Sequence, residues 1–572
     1  MAIHSVADFI RAGDAPRDLA PALRRVAAAV ADGDTISFPA GDWNLSQEAA
    51  EQTLLAVTNH DTCVRNHGLL LTGKKDITIA GNGATLFADG LVVPLWIEGC
   101  DQVAIRDLTL DWSEPLNAMG IIDRVDVDHG VSVVDLTLDP SANPRWSVWG
   151  KRFRLNSPFH KEELKTVFEW DVHNRYPAFG SADNCGGDYS VRWDCEKLGD
   201  DRLRMRAAVK HVPTAGNQLM LRCAHRYAPV VVMSRSNGIT CERVAVHAGG
   251  GMAFIGQRCR DVTLRECVVA PSPRRWRLDA DVVDASHFSN CAGHILIEDC
   301  RFENQLDDPT NVHGAYFPIV RRVDAHTVRL GFGHPQQAGA PVGGPGDRFE
   351  LCSKGPSEAY WTGVAAEVTE LNHHSVEVRF VEELPKDLKV GDGFDNIDWY
   401  PDLTLQRCHM RGNRARGPLI STRGKVVIDN NYFLSPGAGI QMAGGVGGWY
   451  ESGPVHDCII TNNHFDRCAY NAPIWGSAVF QLRGEGVDGA ARTEPYHRNI
   501  TIANNRITCS HDRLLDCDSV GNLTWTDNVI EKADDYREGV DFADQPGEVS
   551  WAKLVHSSQI NLPEESPTAA VQ

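Results

Sequence analysis

The segment FENQLDDPTNVHG, Phe302 to Gly314, sets two aspartates side by side at Asp307 and Asp308. Adjacent side chains on a regular strand point to opposite faces. The Pro309 that follows disfavours a continued strand and biases Asp308 towards an extended or turn conformation. The pair is therefore expected at a strand-to-turn junction, where both carboxylates can reach one cleft. Asp-Asp-Pro is also ordinary turn chemistry, so the pair alone does not make a site. A third carboxylate changes the weighting: Asp284, in DADVVDASHFSNC, precedes Asp308 by 24 residues. If the chain coils with a repeat of that length, Asp284 stacks beside Asp308. Glycoside hydrolysis needs one carboxylic acid to protonate the leaving oxygen and a second carboxylate to activate water or attack carbon. Crowded carboxylates also repel, which raises the pKa of at least one and keeps it protonated as an acid. Asp279 and Asp281 lie nearby in a less clear register.

The elements that would position these groups show as a repeat. VAIRDLTLDW from Val103, DVTLRECVVA from Asp261 and ILIEDCRFEN from Ile295 read alike, as do LTLQRCHMRGN, VVIDNNYF, CIITNNHF, ITIANNRI and LTWTDNVI further on. Ile239 to Val262, Thr404 to Val427 and Thr501 to Thr524 are each 23 residues apart. That spacing suits one coil of a parallel β-helix, whose strands stack about 4.8 Å apart. Asn in DNN, TNN and ANN can form side-chain ladders at the turns. Longer gaps, such as the 32 residues from Val427 to Ile459, imply loops between coils, and loops often carry function.

Two stretches break the rhythm with antiparallel-type alternation around turn residues. The reading is an all-β chain: a right-handed parallel β-helix with two inserted small β-barrel-like modules. Residues 1–117 would hold an N-terminal cap and the first coils, 118–228 an inserted module, and 229–315 the coils with the Asp cluster. Residues 316–401 would hold a second module, 402–545 the C-terminal coils and 546–572 a tail. A helical pattern from Ala20 to Ala31 is expected to cover the open end of the β-helix.

The chain has 572 residues, 42% of them hydrophobic, and a formal charge of −20. This composition supports a continuous core and disfavours nucleic acid and anionic membranes as partners. The 16 cysteines sit in strand-like segments without a CxxC pair. They are expected as small buried hydrophobes, with no zinc or iron–sulfur site. The N-terminus lacks the pattern of a signal peptide and no apolar run spans a membrane. The expectation is a cytoplasmic protein, or a secreted one if a leader was removed.

The fold does not fix the function, but the motifs narrow it. NQLDDPTNVHG, VVDASHFSNCAGHILIEDC, MSRSNGITCERVAVHAGGGMAFIG and GNRARGPLISTRGKVVIDNNYFLSPGAGIQMAGGVGGWYESGPV together resemble glycoside hydrolase family 110. GLLLTGKKDITIAGNGATLFADG, with the NHD at Asn59 to Asp61 before it, fits as well. The resemblance spans roughly residues 34 to 530. It implies a β-helix with two barrel inserts and exo-acting, inverting, metal-independent removal of α-1,3-linked galactose, typically from blood-group-B-type ends. It also implies Asp307 as general acid, with Asp308 and Asp284 holding and deprotonating the water.

Residues suited to bind the sugar are Asn311 and His313 on the same loop, and His247 before three glycines. Arg414, Arg416, Arg423, Trp449 and Glu451 complete the set; Arg416, Glu451 and His313 rank highest because they cluster in irregular loops. No metal or cofactor is expected. The expected partner is a glycan with terminal α-galactose, with assembly into a homo-oligomer left open. A β-helix polysaccharide lyase holding Ca²⁺ in the acidic cluster and a non-catalytic glycan-binding β-helix are the alternatives.

Overall fold

Ile239 pairs with Val262, Thr404 with Val427 and Thr501 with Thr524 in parallel register. Each 23-residue spacing is therefore one turn of a right-handed parallel β-helix. The computed structural model describes residues 1–157, 161–186, 189–536 and 551–563. Every coil contributes strands to three parallel sheets. In the C-terminal half one sheet stacks Asp402–Gln406, Val426–Asp429, Cys458–Thr461, His497–Ala503 and Val520–Thr526. A second runs from His409–Arg411 to Val529–Lys532, and a third from Leu419–Ser421 to Ala552–Val555. Alternate residues such as Leu403 and Leu405 point inward and are fully buried, as the period of two requires.

The turn between the first two sheets repeats one conformation. Arg407, Asn430, Asn462, Asn504 and Asp527 take φ of 53, 55, 56, 55 and 53°, a region Asn and Asp tolerate better than most residues. The next residue points inward and builds the ladder. The Asn463 side-chain oxygen accepts from the Asn431 backbone N–H at 2.9 Å, and the Asn505 oxygen does the same for Asn463 at 2.9 Å. Asn528 continues it for Asn505. Earlier coils place Cys267, Cys300 and Cys408 at this position, and the Cys300 N–H donates to the Cys408 sulfur at 3.4 Å. All 16 cysteines are free, and all but Cys63 are buried.

The helix Ala20–Ala29 covers the N-terminal end, with Ala22, Leu23 and Val26 in the main core. Antiparallel strands from Ala118–Asp128 to Gln218–Arg222 interrupt the coils. They form a seven-stranded sheet with a three-stranded sheet beside it. Among the described residues this first module does not close into a barrel; Phe153 and Leu155 of the smaller sheet fill its core instead. The second module does close. The strand Asn311–Arg322 begins in the β-helix, parallel to Ser286–Ser289, and continues antiparallel to Gly393–Asn396. From there Arg348–Cys352, Ala359–Asn372, Ser375–Phe380 and Thr327–Leu330 complete a six-stranded ring. The tail expected from 546 is corrected in part. Ala552–Val555 and Ser558–Asn561 add a further coil, anchored by Trp551 at 5.4 Å from Trp525. Residues 546–550 and 564–572 lie outside the described residues. Among the described residues no helix is long and apolar enough to cross a membrane.

The ladder makes a testable contribution. Asn463→Ala leaves the Asn431 N–H without its acceptor and the Ile428 carbonyl without its donor. Leaving such buried groups unmet costs about 1–3 kcal/mol, so the calorimetric midpoint should fall. Asn463→Cys, the residue that the same turn carries at Cys408, should lose less. Equal midpoints for parent and Asn463→Ala would show that the ladder adds nothing.

Candidate active site

The turn carrying Asp307 and Asp308 is clamped from both neighbouring coils. Leu306 N–H donates to the Asp281 carbonyl at 3.0 Å, and Ala285 N–H to the Asp308 carbonyl at 3.0 Å. On the other side Arg414 N–H reaches the Gln305 carbonyl at 3.1 Å, and Leu419 N–H the Thr310 carbonyl at 2.9 Å. The 24-residue spacing works as stacking requires: His287 aligns with Asn311, which puts Asp284 next to Asp308. The Asp308 N–H donates to Asp284 Oδ1 at 3.3 Å. Leu306 inserts into an apolar cluster with Met119, Phe168, Trp170, Met220 and Leu278, so the first module presses on the turn.

Asp284, Asp307 and Asp308 each offer an oxygen, all within 4.8 Å of one another, and all three are buried. They lie on the floor of a cavity of about 770 Å³. Three arginines offset the charge. Arg226 Nη2 is 3.1 Å and Arg414 Nη2 3.4 Å from Asp307 Oδ2, and Arg416 Nη2 is 3.2 Å from Asp308 Oδ2. Arg414 is itself held by the Leu306 carbonyl and by Asp183. Asn413 holds the Asp307 carbonyl at 3.0 Å. Asp308 Oδ1 and Asn311 Oδ1 are buried without a hydrogen-bond partner, which leaves them for a ligand to satisfy.

The three aspartates are not equivalent. Burial, with the charge of Asp307 added, pushes the Asp284 carboxyl up to about 8. Burial also raises Asp308 well above the carboxylate range; Arg416 works against it, and Asp307, Asp284 and Glu451 work with it. Burial raises Asp307 too, but Arg414, Arg226, Arg416 and Arg222 outweigh it and hold that carboxyl below its ordinary value.

Hydrogen-bond directions agree for Asp284. The Gly314 carbonyl only accepts, so His313 Nδ1 donates to it at 2.5 Å. His313 Nε2 then accepts from His287 Nε2–H at 2.9 Å. Burial holds His287 well below the ordinary imidazole range, so its Nδ1 carries a lone pair. That atom lies 2.7 Å from Asp284 Oδ2, and the proton between them belongs to Asp284.

Of the residues expected to bind the sugar, Asn311, Arg414, Arg416, Trp449 and Glu451 line this cleft. His313 lies behind it, 3.6 Å from Glu451 Oε1. Two others lie elsewhere. His247 lines a second cavity. Arg423 pairs with Glu350 at 2.8 Å and Asp395 at 2.7 Å. It sits beneath the second module and ties it to the coil instead of facing the cleft. Reading the sequence missed Asn59, Tyr189, Arg222, Arg226, His287, Trp475 and Gln481, which all line the cleft. NHD at Asn59 and SHF at His287 stood inside noted motifs. Tyr189, Arg222 and Arg226 come from the irregular first module and the segment after it, where no periodicity assigns a face.

A raised carboxyl makes stability depend on pH. Between its ordinary 3.8 and about 8, folded Asp284 keeps a proton that the unfolded chain has released. This destabilising contribution therefore grows as pH rises through that window. Asn at 284 keeps both bonds: its oxygen accepts from Asp308 N–H and its NH₂ donates to His287 Nδ1. Asp284→Asn should melt above the parent at pH 8, with the gap narrowing towards pH 5. Scanning fluorimetry across pH reads this directly; a lower midpoint for the variant at pH 8 would mean that an ionised Asp284 stabilises the fold.

Residues 327–393 match the family described as GLAA-B beta-barrel domain II, and residues 395–559 match the right handed beta helix region. An alpha-1,3-galactosidase A of Shewanella woodyi is 29% identical over 93% of this chain and 86% of its own. One of Bacteroides fragilis is 29% identical over 88% and 82%. An alpha-1,3-galactosidase B of Bacteroides thetaiotaomicron is 26% identical over 94% and 87%. With the motifs around Asp284, Asp307 and Asp308, these matches agree with the resemblance to glycoside hydrolase family 110.

Proposed function

We propose that this protein is an exo-acting glycoside hydrolase that removes terminal α-1,3-linked galactose from glycans, of blood-group-B type or linear. The observation that carries the reading is the buried aspartate trio on the floor of the 770 Å³ cleft. The names of the relatives supply the linkage and the sugar. Trp449, Trp475 and Tyr189 offer aromatic faces, which suit the C–H face of a sugar. The first module, the Trp449–Glu451 loop and residues 483–487 wall the floor on several sides, which favours a chain end over an internal segment.

In the reaction a water gives a proton to one carboxylate and attacks the anomeric carbon. The C1–O bond breaks, and the departing oxygen takes a proton from a second carboxyl. The resemblance assigns the acid to Asp307 and the water to Asp308 and Asp284. The charge distribution favours an exchange of the first two, because Arg226 and Arg414 keep Asp307 ionised while Asp308 keeps its proton.

Three measurements test this. A panel of terminal α-galactosides of defined linkage should release free galactose from the α-1,3 members; absence of release from all of them would sink the reading. Under the resemblance, Asp307→Asn should slow cleavage of a natural disaccharide by about 10²–10⁴-fold and an aryl galactoside with an acidic phenol far less. Asp308→Asn and Asp284→Asn should slow both alike; the reverse pattern exchanges the roles. Proton NMR of fresh product should show β-galactose for inversion, whereas α-galactose makes one aspartate a nucleophile.

The trio has the donor set of a cation site, but Arg226, Arg414 and Arg416 already offset its charge. Activity should survive exhaustive EDTA treatment. A loss that Ca²⁺ restores would favour the polysaccharide-lyase reading.

A further inference from the structure

His247 belongs to a cavity of about 790 Å³ that the reaction does not use. The strand Gln218–Arg222 walls both cavities, with Arg222 at the cleft and Gln218 at the second one. Four strand residues span about 13 Å, so the second cavity is a separate place and not an extension of the aspartate floor.

Its chemistry is opposite to that of the chain. The protein carries a formal charge of −20, yet Arg175, Arg275, Arg277, Arg301 and Arg411 line this cavity against one lining carboxylate, Glu303, with Asp111 behind it pairing Arg277 at 3.1 Å. Glu303 is taken by Arg301 at 3.0 Å. Arg411 donates to the Asn174 carbonyl at 2.8 Å, a bond that orients a guanidinium without neutralising it, whereas Arg275 lies 4.0 Å from Asp111. Among the described residues, Arg175 and Arg411 make no ion pair. Polar groups on the floor also lack partners. Gln218 is 2% exposed and its amide oxygen has no hydrogen bond. His247 Nδ1 donates to the Ala270 carbonyl at 2.8 Å, which leaves Nε2 for a ligand. At the rim Trp276 is 53% exposed.

We propose that this cavity is a second, non-catalytic site that binds an acidic saccharide, one bearing a sulfate ester or a carboxylate. Guanidinium groups match the geometry of a planar or tetrahedral oxyanion. Trp276 supplies a stacking face, and Gln218 and His247 meet hydroxyls. None of these groups touches the aspartate trio, so occupancy tethers an acidic glycan without entering the bond-breaking step.

The test is titration calorimetry on the full chain, with free galactose in excess to fill the cleft. The probes are a galactose-6-sulfate oligosaccharide, a glucuronate-terminated one, their neutral counterpart and inorganic sulfate. At least one acidic saccharide should bind, and which of the two binds names the oxyanion. The neutral sugar should bind at least about tenfold more weakly, as expected for lost charge-assisted bonds. Arg175→Gln with Arg411→Gln, and separately Trp276→Ala, should weaken binding by about tenfold or more. The aryl-galactoside rate and thermal midpoint should match the parent, so failure here is distinguishable from failure of the hydrolase reading. Binding of neither acidic saccharide, binding unchanged in the variants, or inorganic sulfate binding as tightly as the saccharide overturns the proposal.

Discussion

Inside a stack of coils, the backbone N–H and C=O groups of one strand have only the strands above and below as partners. A coil that slipped by one residue would break its ladder and turn its buried side chains outward. Register is therefore the constraint on which everything else rests. It aligns Ile239 with Val262 and Thr501 with Thr524. It also carries the inward Asn463 onto Asn431 and Asn505, whose side chains close the turn's own donors. Extra chain fits only at turns, where no ladder is interrupted. Both modules enter there, and so does the turn bearing Asp307 and Asp308.

Register brings Asp284 to Asp308 at a cost that the surroundings only partly offset. Burial and mutual repulsion push Asp284 and Asp308 upward, while arginines stabilise Asp307 as an anion. The result is a graded set of three carboxyls within one cluster, which is what acid–base work demands. The gradient is made by neighbours outside the repeat. Arg226 comes from the segment after the first module, and Arg414 and Arg416 from the loop on the following coil. Arg414 depends in turn on Asp183 of the first module.

What the sequence makes legible follows from this division. Repeat positions obey a period, so the 23-residue coil, the Asn ladder and the Asp284–Asp308 neighbourhood can be read from spacing alone. The helix at Ala20–Ala29 shows because its apolar face has a period of its own. The irregular segments have no period. Nothing in GNRARGPLISTRG says that Arg414 and Arg416 face the aspartates while Arg423 turns to Asp395 and Glu350. His247 follows a regular strand and precedes three glycines, but its strand ends on the side of the second cavity. Ala552–Val555 escaped because its partner strand starts 37 residues earlier, at Leu515, well beyond the 23-residue period; the pairing and Trp551 against Trp525 show that the core continues.

The second module is joined to the site more tightly than an inserted domain need be. One strand, Asn311–Arg322, starts as a coil strand and ends as a barrel strand. Its first residues carry Asn311, which lines the cleft, and His313, which closes the chain of hydrogen bonds to Asp284 through His287. Gly314 sits at the crossing. A Cβ there would run into the Ser452 hydroxyl and lie 2.8 Å from the Tyr400 ring, two groups that bond to each other and to Asp395 of the barrel. Any tilt of the barrel must therefore act on the residue next to His313. The closed ring of strands is thus joined through Gly314 to the hydrogen-bond chain that runs from His313 through His287 to Asp284.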